Sequence, residues 1–262
     1  MPRPVALSLE GRTALVTGGS RGIGAATVRM FVAAGARVAF NYVSARTAAE
    51  ALVRECGAGA CHTVQKDLSG ERSAAELVQE TVRHFGRLDV LVANHGVWVA
   101  EPAAIEKMSE DQWRRTLAIN LDSVFRLIKH SVAQMKKQER KHRAAGHIVL
   151  VSSTAGQRGE AFHCDYAASK GAIISMVKGL STELAPDGIY ANCVAPGWVD
   201  TDMAAPAFVE PDSSREILSK IPIGRIGTPE EIAAPILFLC TEHAGFITGE
   251  ILNVNGGAVL AG

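Results

Sequence analysis

The chain has 262 residues, 47% of them hydrophobic and 21% charged, enough for one sizeable core and balanced like an ordinary water-soluble globule. Its 27 basic and 27 acidic residues cancel, which argues against a nucleic-acid partner, where a basic excess is expected. No run approaches the roughly 18 apolar residues of a membrane span.

In chain order, short apolar runs alternate with amphipathic stretches. Arg12–Thr17 reads as a strand, Ile23–Ala34 as a helix ending at Gly35, and Ala36–Asn41 as a second strand. Ala45–Cys56 is a helix and Ala60–Gln65 a third strand. Glu71–Phe85 is a helix, with Leu77, Val78, Val82 and Phe85 at helical spacing. Leu88–Ala93 is the fourth strand. One long helix is expected over about Asp111–Met135, then strand His147–Val151, helix Tyr166–Leu184 and strand Tyr190–Val194. A looser stretch, Pro196–Gly227, precedes helix Pro229–Cys240 and strand Ile251–Val254. Runs such as LDVLVA and HIVLV are apolar on both faces, as in a covered parallel sheet. The alternation predicts a single-domain α/β fold, a doubly wound parallel sheet (Rossmann fold) with helices on both faces.

The cysteines Cys56, Cys61, Cys164, Cys193 and Cys240 are odd in number and lack a CxxC pair. No disulfide framework is expected, and a reducing, cytoplasmic setting fits. The adjacent His163 and Cys164 do not make a metal site, so no metal is expected. The opening MPRPVALSLEGR has no long apolar region before a cleavage site, so no secretory signal is expected. The basic run Lys136–Arg143 is short and mixed, and reads as a solvated helix end.

Between the first strand and helix lies Thr17-Gly18-Gly19-Ser20-Arg21-Gly22-Ile23-Gly24. Such a turn lets backbone N–H groups approach a pyrophosphate at a helix N-terminus, with Gly18, Gly22 and Gly24 where side chains would obstruct. A tight turn without ligand is the competing reading. The second strand ends Phe40-Asn41-Tyr42-Val43-Ser44-Ala45-Arg46 with no carboxylate. An acidic residue there serves the ribose hydroxyls of NAD; its absence admits a 2′-phosphate. Arg21, Ser44 and Arg46 supply charge and hydrogen bonds, so NADP(H) is expected over NAD(H).

Tyr166 and Lys170 are four apart and share a helix face. An unperturbed tyrosine, with a pKa of about 10, exchanges protons poorly near neutrality. An ammonium at about 4 Å, with an effective dielectric near 20, contributes about 4 kcal/mol, roughly a thousandfold toward the phenolate. Ser153 and Asn94 follow the fifth and fourth strands, at the carboxyl edge where such sheets bind ligands.

These segments together resemble the short-chain dehydrogenase/reductase family. The residues carrying the resemblance are TGGSRGIG at 17–24, Asp67, ANHG at 93–96, Asn120 in INLDSVF, Ser153, YAASK at 166–170, APGWVDTDM at 195–203 and FITGEILNVNGG at 246–257. The likeness spans Gly11 to Gly257, and its wording is similar to 3-oxoacyl-carrier-protein reductases. It implies an NADP(H)-dependent oxidoreductase interconverting a ketone and a secondary alcohol. Tyr166 would be the proton donor, Lys170 would hold the nicotinamide ribose and lower the Tyr166 pKa, Ser153 would bind the substrate oxygen, and Asn120 would position a relay water. Ser20, Ile23, Tyr42, Asp67, Leu68, Asn94 and Gly96 are implied along the adenosine and phosphate side. Pro196, Gly197, Val199 and Thr201 are implied at the carboxamide. A lid at about 203–226 would close on substrate, with Met203, Phe208, Ile217, Leu218, Trp98, Phe162, His163 and Trp198 as candidates to line the pocket.

The implied partners are a small carbonyl or alcohol, a carrier-bound acyl thioester among the candidates, and further copies of the chain in a dimer or tetramer. An NAD-dependent alcohol dehydrogenase of the same family is the first alternative. A non-catalytic dinucleotide-binding sensor is the second, and it would be expected to lack Tyr166 or Lys170. Three features depart from the family pattern. His95 replaces the usual alanine of Asn-Asn-Ala-Gly, and either packs near the ribose or faces solvent. Lys136–Gly146 is several residues longer than usual. Asp187 stands where carrier reductases often have a basic residue.

Overall fold

A computed structural model describes residues 5–140 and 143–260. Lys141 and His142 of the longer surface segment, and residues 1–4, lie outside the described part. Seven strands form one parallel sheet in the order β3-β2-β1-β4-β5-β6-β7: β1 Thr13–Val16, β2 Arg37–Tyr42, β3 Cys61–Gln65, β4 Val90–Ala93, β5 Gly146–Val151, β6 Ile189–Pro196 and β7 Ile251–Val254. Every predicted strand is present, with ends differing by one or two residues.

The doubly apolar strands have a direct cause. Ala14, Val16, Val90, Val92, Val149 and Val151 enter one core, while Leu15, Leu91, Ile148 and Leu150 enter the other. The side-chain period of two sends neighbours to opposite faces, so both must be apolar. Helices α1 (Gly22–Ala33), α2 (Arg46–Cys56) and α9 (Pro229–Leu239) cover the first face. Helices α3 (Ser73–Phe85), α5 (Ser123–Met135) and α7 (Cys164–Leu184) cover the second. Among the described residues no helix is long and apolar enough to cross a membrane.

Two predictions of local structure need correction. The long helix is interrupted: α4 (Glu110–Leu117) passes through a π-turn, Ala118–Asp122, into α5. The apolar periodicity continues through the wider turn, so the sequence reads as one helix. The looser stretch contains α8, Pro211–Ser219, with Pro211 in its first turn. Proline suits a helix start, but the density of prolines around it reads as loop. Between β5 and α7, where no element is predicted, α6 (Thr154–Arg158) is a short helix whose N-cap is Ser153, its Oγ accepting the Ala155 N–H at 3.1 Å.

Sheet order reverses at β1, which is flanked by β2 and β4. This switch point opens the crevice at the carboxyl ends of the strands.

Candidate active site

A groove of about 580 Å³ runs across that edge, from Tyr42 and Ser44 beyond β2 to Trp198 and Met203 beyond β6. Its first wall is the turn between β1 and α1. Gly18 and Gly22 have φ of 64° and 51°, a left-handed conformation that glycine adopts without penalty. A Cβ on Gly24 would stand 2.2 Å from the Gly18 carbonyl oxygen. Gly24 therefore lies behind the groove rather than on it: its role is close packing of helix on turn. Asn41 fixes the turn from β2. Its Oδ1 accepts the Gly18 N–H at 3.0 Å, and its Nδ2 donates to the Lys66 carbonyl at 2.8 Å. Asn94 braces it from β4, with Nδ2 donating to the Thr17 carbonyl at 3.0 Å.

Ser20, Arg21, Gly22, Ile23, Tyr42, Ser44, Asp67, Leu68, Asn94 and Gly96 line this half of the groove, together with Pro196, Gly197, Val199 and Thr201 toward the other end. Arg46 does not. It lies in the first turn of α2, 72% exposed, with Nε donating to Glu50 at 2.8 Å. The i,i+4 spacing gives it a carboxylate on its own helix. Arg21 lines the groove and also meets Asp202 in an exposed ion pair of 3.2 Å. No carboxylate from the end of β2 faces the groove. The shape, the bare glycine turn and the helix N-terminus behind it fit an NAD(P) dinucleotide.

Tyr166, Ser153 and Lys170 converge on the middle of the groove. Tyr166 and Lys170 come from successive turns of α7, which is anchored there by the Ser152 hydroxyl donating to the Lys170 carbonyl at 2.8 Å. The Ser153 hydroxyl is a hydrogen-bond partner of the Tyr166 phenol. Burial pushes that phenol up to about 12; the Ser153 contact lowers it and the charge of Glu160 raises it. Burial also pushes the Lys170 ammonium down to about 8. Its Nζ donates to the Val151 carbonyl at 2.8 Å and stands 5.7 Å from the Tyr166 ring centre. With the ammonium turned to a backbone carbonyl, burial outweighs the contacts that lower the phenol. A phenol that keeps its proton at neutral pH is a hydrogen-bond donor to any carbonyl oxygen set between it and Ser153.

Asn120 lies behind the wall, fully buried in the π-turn. Its Oδ1 accepts the Val97 N–H at 2.8 Å, and its Nδ2 donates to the Val97 carbonyl at 2.9 Å and to Ser169 Oγ at 3.1 Å. Its carboxamide oxygen and the Lys170 amine both border Gly96, within 3.4 Å of where a Cβ would stand. π-turns are frequent at functional sites, and this one carries the buried Asn120.

At the substrate end, Trp98, Trp198 and Met203 line the groove. His163 does not: it is buried behind Trp98, with ring centres 5.1 Å apart. Trp98 meets Trp198 edge-on at 5.9 Å, and Trp198 meets Phe208 at 5.4 Å. Phe162 is exposed on the outside. Sequence reasoning missed Glu160, Arg115 and Arg158 on the wall and Asn41 beneath the turn. A lone Asn in an apolar strand was the available signal for Asn41; the other three lie in polar loops or on a helix surface with nothing to mark them.

His95 packs beneath the groove. Ser123 Oγ donates to the Ile119 carbonyl at 2.5 Å, so it accepts from His95 Nε2 at 2.6 Å. Thr17 Oγ1, 2.7 Å from Nδ1, is then the donor on the other side. Both ring nitrogens of a neutral imidazole are satisfied. Burial first, and the Lys170 charge second, push its pKa down to about 4. Folding therefore favours the neutral ring. This contribution is complete above the unfolded value of about 6.5 and is lost as pH falls from there toward 4. Discounted for the part of the ring open to the groove, the loss is about 2 kcal/mol. In urea unfolding followed from pH 7 to pH 4, wild type is expected to lose that much more stability than His95→Ala; parallel curves would contradict it.

Residues 18–259 match the family model described as enoyl-(acyl carrier protein) reductase. The 3-oxoacyl-[acyl-carrier-protein] reductase of Synechocystis is 37% identical over 256 residues, covering 97% of this chain and 99% of that protein. A Brucella melitensis structure titled short-chain dehydrogenase/reductase, glucose/ribitol dehydrogenase, is 34% identical, with a TM-score of 0.88 over 98% of this chain and all of that one. A blue fluorescent protein from a metagenomic library, solved in complex with NADPH, is 36% identical, with a TM-score of 0.87 over 97% of this chain and all of that one. Fold, groove and full-length similarity agree: the chain belongs to the short-chain dehydrogenase/reductase family of oxidoreductases.

Proposed function

We propose that this protein reduces a ketone to a secondary alcohol with NADPH, Tyr166 donating the proton. The observation that carries the reading is the convergence of Tyr166, Ser153 and Lys170 on a groove that begins at a bare glycine turn. The nicotinamide supplies the hydride when bound. Ser153 and Tyr166 hold the substrate oxygen, and Tyr166 passes it a proton. Lys170 places positive charge beside the developing alkoxide and holds the ribose. Asn120, pinned to Val97 and Ser169, fixes the wall behind Gly96 and would position a relay water. The retained Tyr166 and Lys170 argue against a non-catalytic sensor.

The absence of a carboxylate at the end of β2 supports NADPH, with Arg21 and Ser44 as the groove-lining contacts of a 2′-phosphate. Arg21→Ala is expected to weaken NADPH about tenfold and leave NADH within about twofold, measured by nicotinamide fluorescence on binding. Affinity in the wild type that is equal, or higher for NADH, would favour the NAD-dependent alcohol dehydrogenase instead.

The similarity to 3-oxoacyl reductases makes 3-oxoacyl thioesters the first substrates to assay. Asp187 bears on carrier docking. It is ion-paired to Lys136 at 2.5 Å, and its carbonyl accepts from Arg140 at 2.7 Å, so the surface basic residues there are partly engaged within the chain. Residues 203–226 are read as the lid. Their base is pinned where Gly227 N–H donates to the Trp198 carbonyl and Asp200 N–H to the Gly227 carbonyl, both at 2.9 Å. Exposed Phe125 on α5 supports assembly into a dimer or tetramer, and five free thiols support a cytoplasmic setting.

A further inference from the structure

Glu160 lines the groove, and the ketoreductase reading leaves it without a task. It sits in the loop between α6 and α7, half-buried, on the same wall as Tyr166 and Trp98. The loop is sharply turned around it: Gly159 has φ 78°, and Phe162, a bulky residue, has φ 64°. Left-handed conformations outside glycine are costly and persist where surroundings enforce them, often beside functional groups. The Glu160 carbonyl accepts the His163 N–H at 3.3 Å, closing that turn.

Burial holds the Glu160 carboxyl above its ordinary range, while His163, Arg158 and the hydrogen-bonded Trp98 indole lower it. An ionised carboxylate has about four acceptor positions and no donor. The indole takes one, and the carboxyl lines the same groove as Trp98 and Trp198, whose rings meet edge-on at 5.9 Å. Of the cations lining this groove, Arg115 and Arg158 are exposed at the rim and Lys170 is turned to the Val151 carbonyl, which leaves Glu160 as the charged group beside Trp98. Aromatic faces beside a carboxylate attract a cation and accommodate a hydroxyl, and they repel an anion.

We propose that Glu160 is a specificity-determining residue that selects ketones whose far end carries a cationic or hydroxyl group over ketones ending in a carboxylate or phosphate. The inference rests on the ketone-reductase reading for the identity of the reacting group, but not for the selection itself. Neutral acyl thioesters remain compatible with it; free oxo acids and phosphorylated sugars are disfavoured.

The test uses three matched ketones: 5-(dimethylamino)-2-pentanone, whose tertiary amine cannot condense with its own carbonyl, methyl 4-oxopentanoate and 4-oxopentanoate. Their binding to the NADPH-loaded protein is followed by tryptophan quenching, and their reduction by NADPH oxidation. The wild type is expected to bind the amine and the ester about tenfold tighter than the acid. Glu160→Gln should narrow this to about twofold with NADPH affinity unchanged, and Glu160→Asp, which keeps the charge, should retain most of it. Equal binding of the three by wild type, unaltered discrimination in Glu160→Gln, or no quenching by any of them overturns the proposal. Discrimination in binding with no reduction of any ketone leaves the selection standing and overturns the ketone-reductase reading alone.

Discussion

Tyr166→Phe is expected to lower kcat/KM for ketone reduction by about a thousandfold, while NADPH affinity stays within about twofold of wild type. The substitution removes one oxygen and keeps the ring. Since the phenol's hydrogen-bond partner is Ser153 and it is otherwise held by burial, the fold loses little. The reaction loses its proton donor, and general acid catalysis by a positioned group contributes on the order of 10²–10⁴-fold. The remainder comes from weaker hold on the substrate oxygen, which Ser153 then binds alone. Steady-state rates with NADPH, set against fluorescence titration of the same variant, separate the two effects. Parallel loss of binding and turnover would mean that Tyr166 shapes the groove rather than the chemistry.

Gly24→Ala is expected to abolish cofactor binding, weakening NADPH at least about a hundredfold and lowering Tm by several degrees. A Cβ there would stand 2.2 Å from the Gly18 carbonyl oxygen and 2.7 Å from Asn94 Nδ2. The first contact is with backbone, so no side-chain rotation relieves it. The helix must shift off the turn, and the N–H groups that face the phosphates move with it. Gly179→Ala is the control: it lies within α7, nothing stands within 4 Å of its added Cβ, and alanine is the better helix former by about 1 kcal/mol. Its binding should be unchanged and its Tm equal or higher. A Gly24→Ala protein that binds NADPH normally would show that the turn tolerates a wider separation from α1.

The strands were legible because burial on both sheet faces forces unbroken apolar runs such as Leu91–Ala93 and Ile148–Val151. The glycine turn and the Tyr166–Lys170 spacing were legible because each reports a local backbone geometry. What escaped depends on contacts between distant segments. The π-turn that swings Asn120 inward leaves the apolar pattern of α4 and α5 unbroken. Helix α8 is masked by the prolines around it, although Pro211 is well placed to start it. Arg46 was expected at the groove, yet Glu50, one helical turn on, holds it outside. The protonation balance of Tyr166 depends on packing too: sequence spacing gives the distance along a helix, but not that Lys170 turns to the Val151 carbonyl. For His95 two readings stand, and its two hydrogen bonds come from distant segments, Thr17 at the end of β1 and Ser123 at the start of α5.

In the proposed reaction one groove brings a hydride donor and the Tyr166 proton to the same carbonyl. This is tested most directly by incubating the protein with NADPH deuterated on the transferring face of the nicotinamide and a reducible 3-oxoacyl thioester, then analysing the alcohol by mass spectrometry. Wild type is expected to place one deuterium on the carbinol carbon, and Tyr166→Phe to form labelled alcohol about a thousandfold more slowly at matched cofactor occupancy. Labelled alcohol formed equally by both proteins, or alcohol formed without deuterium, would contradict it.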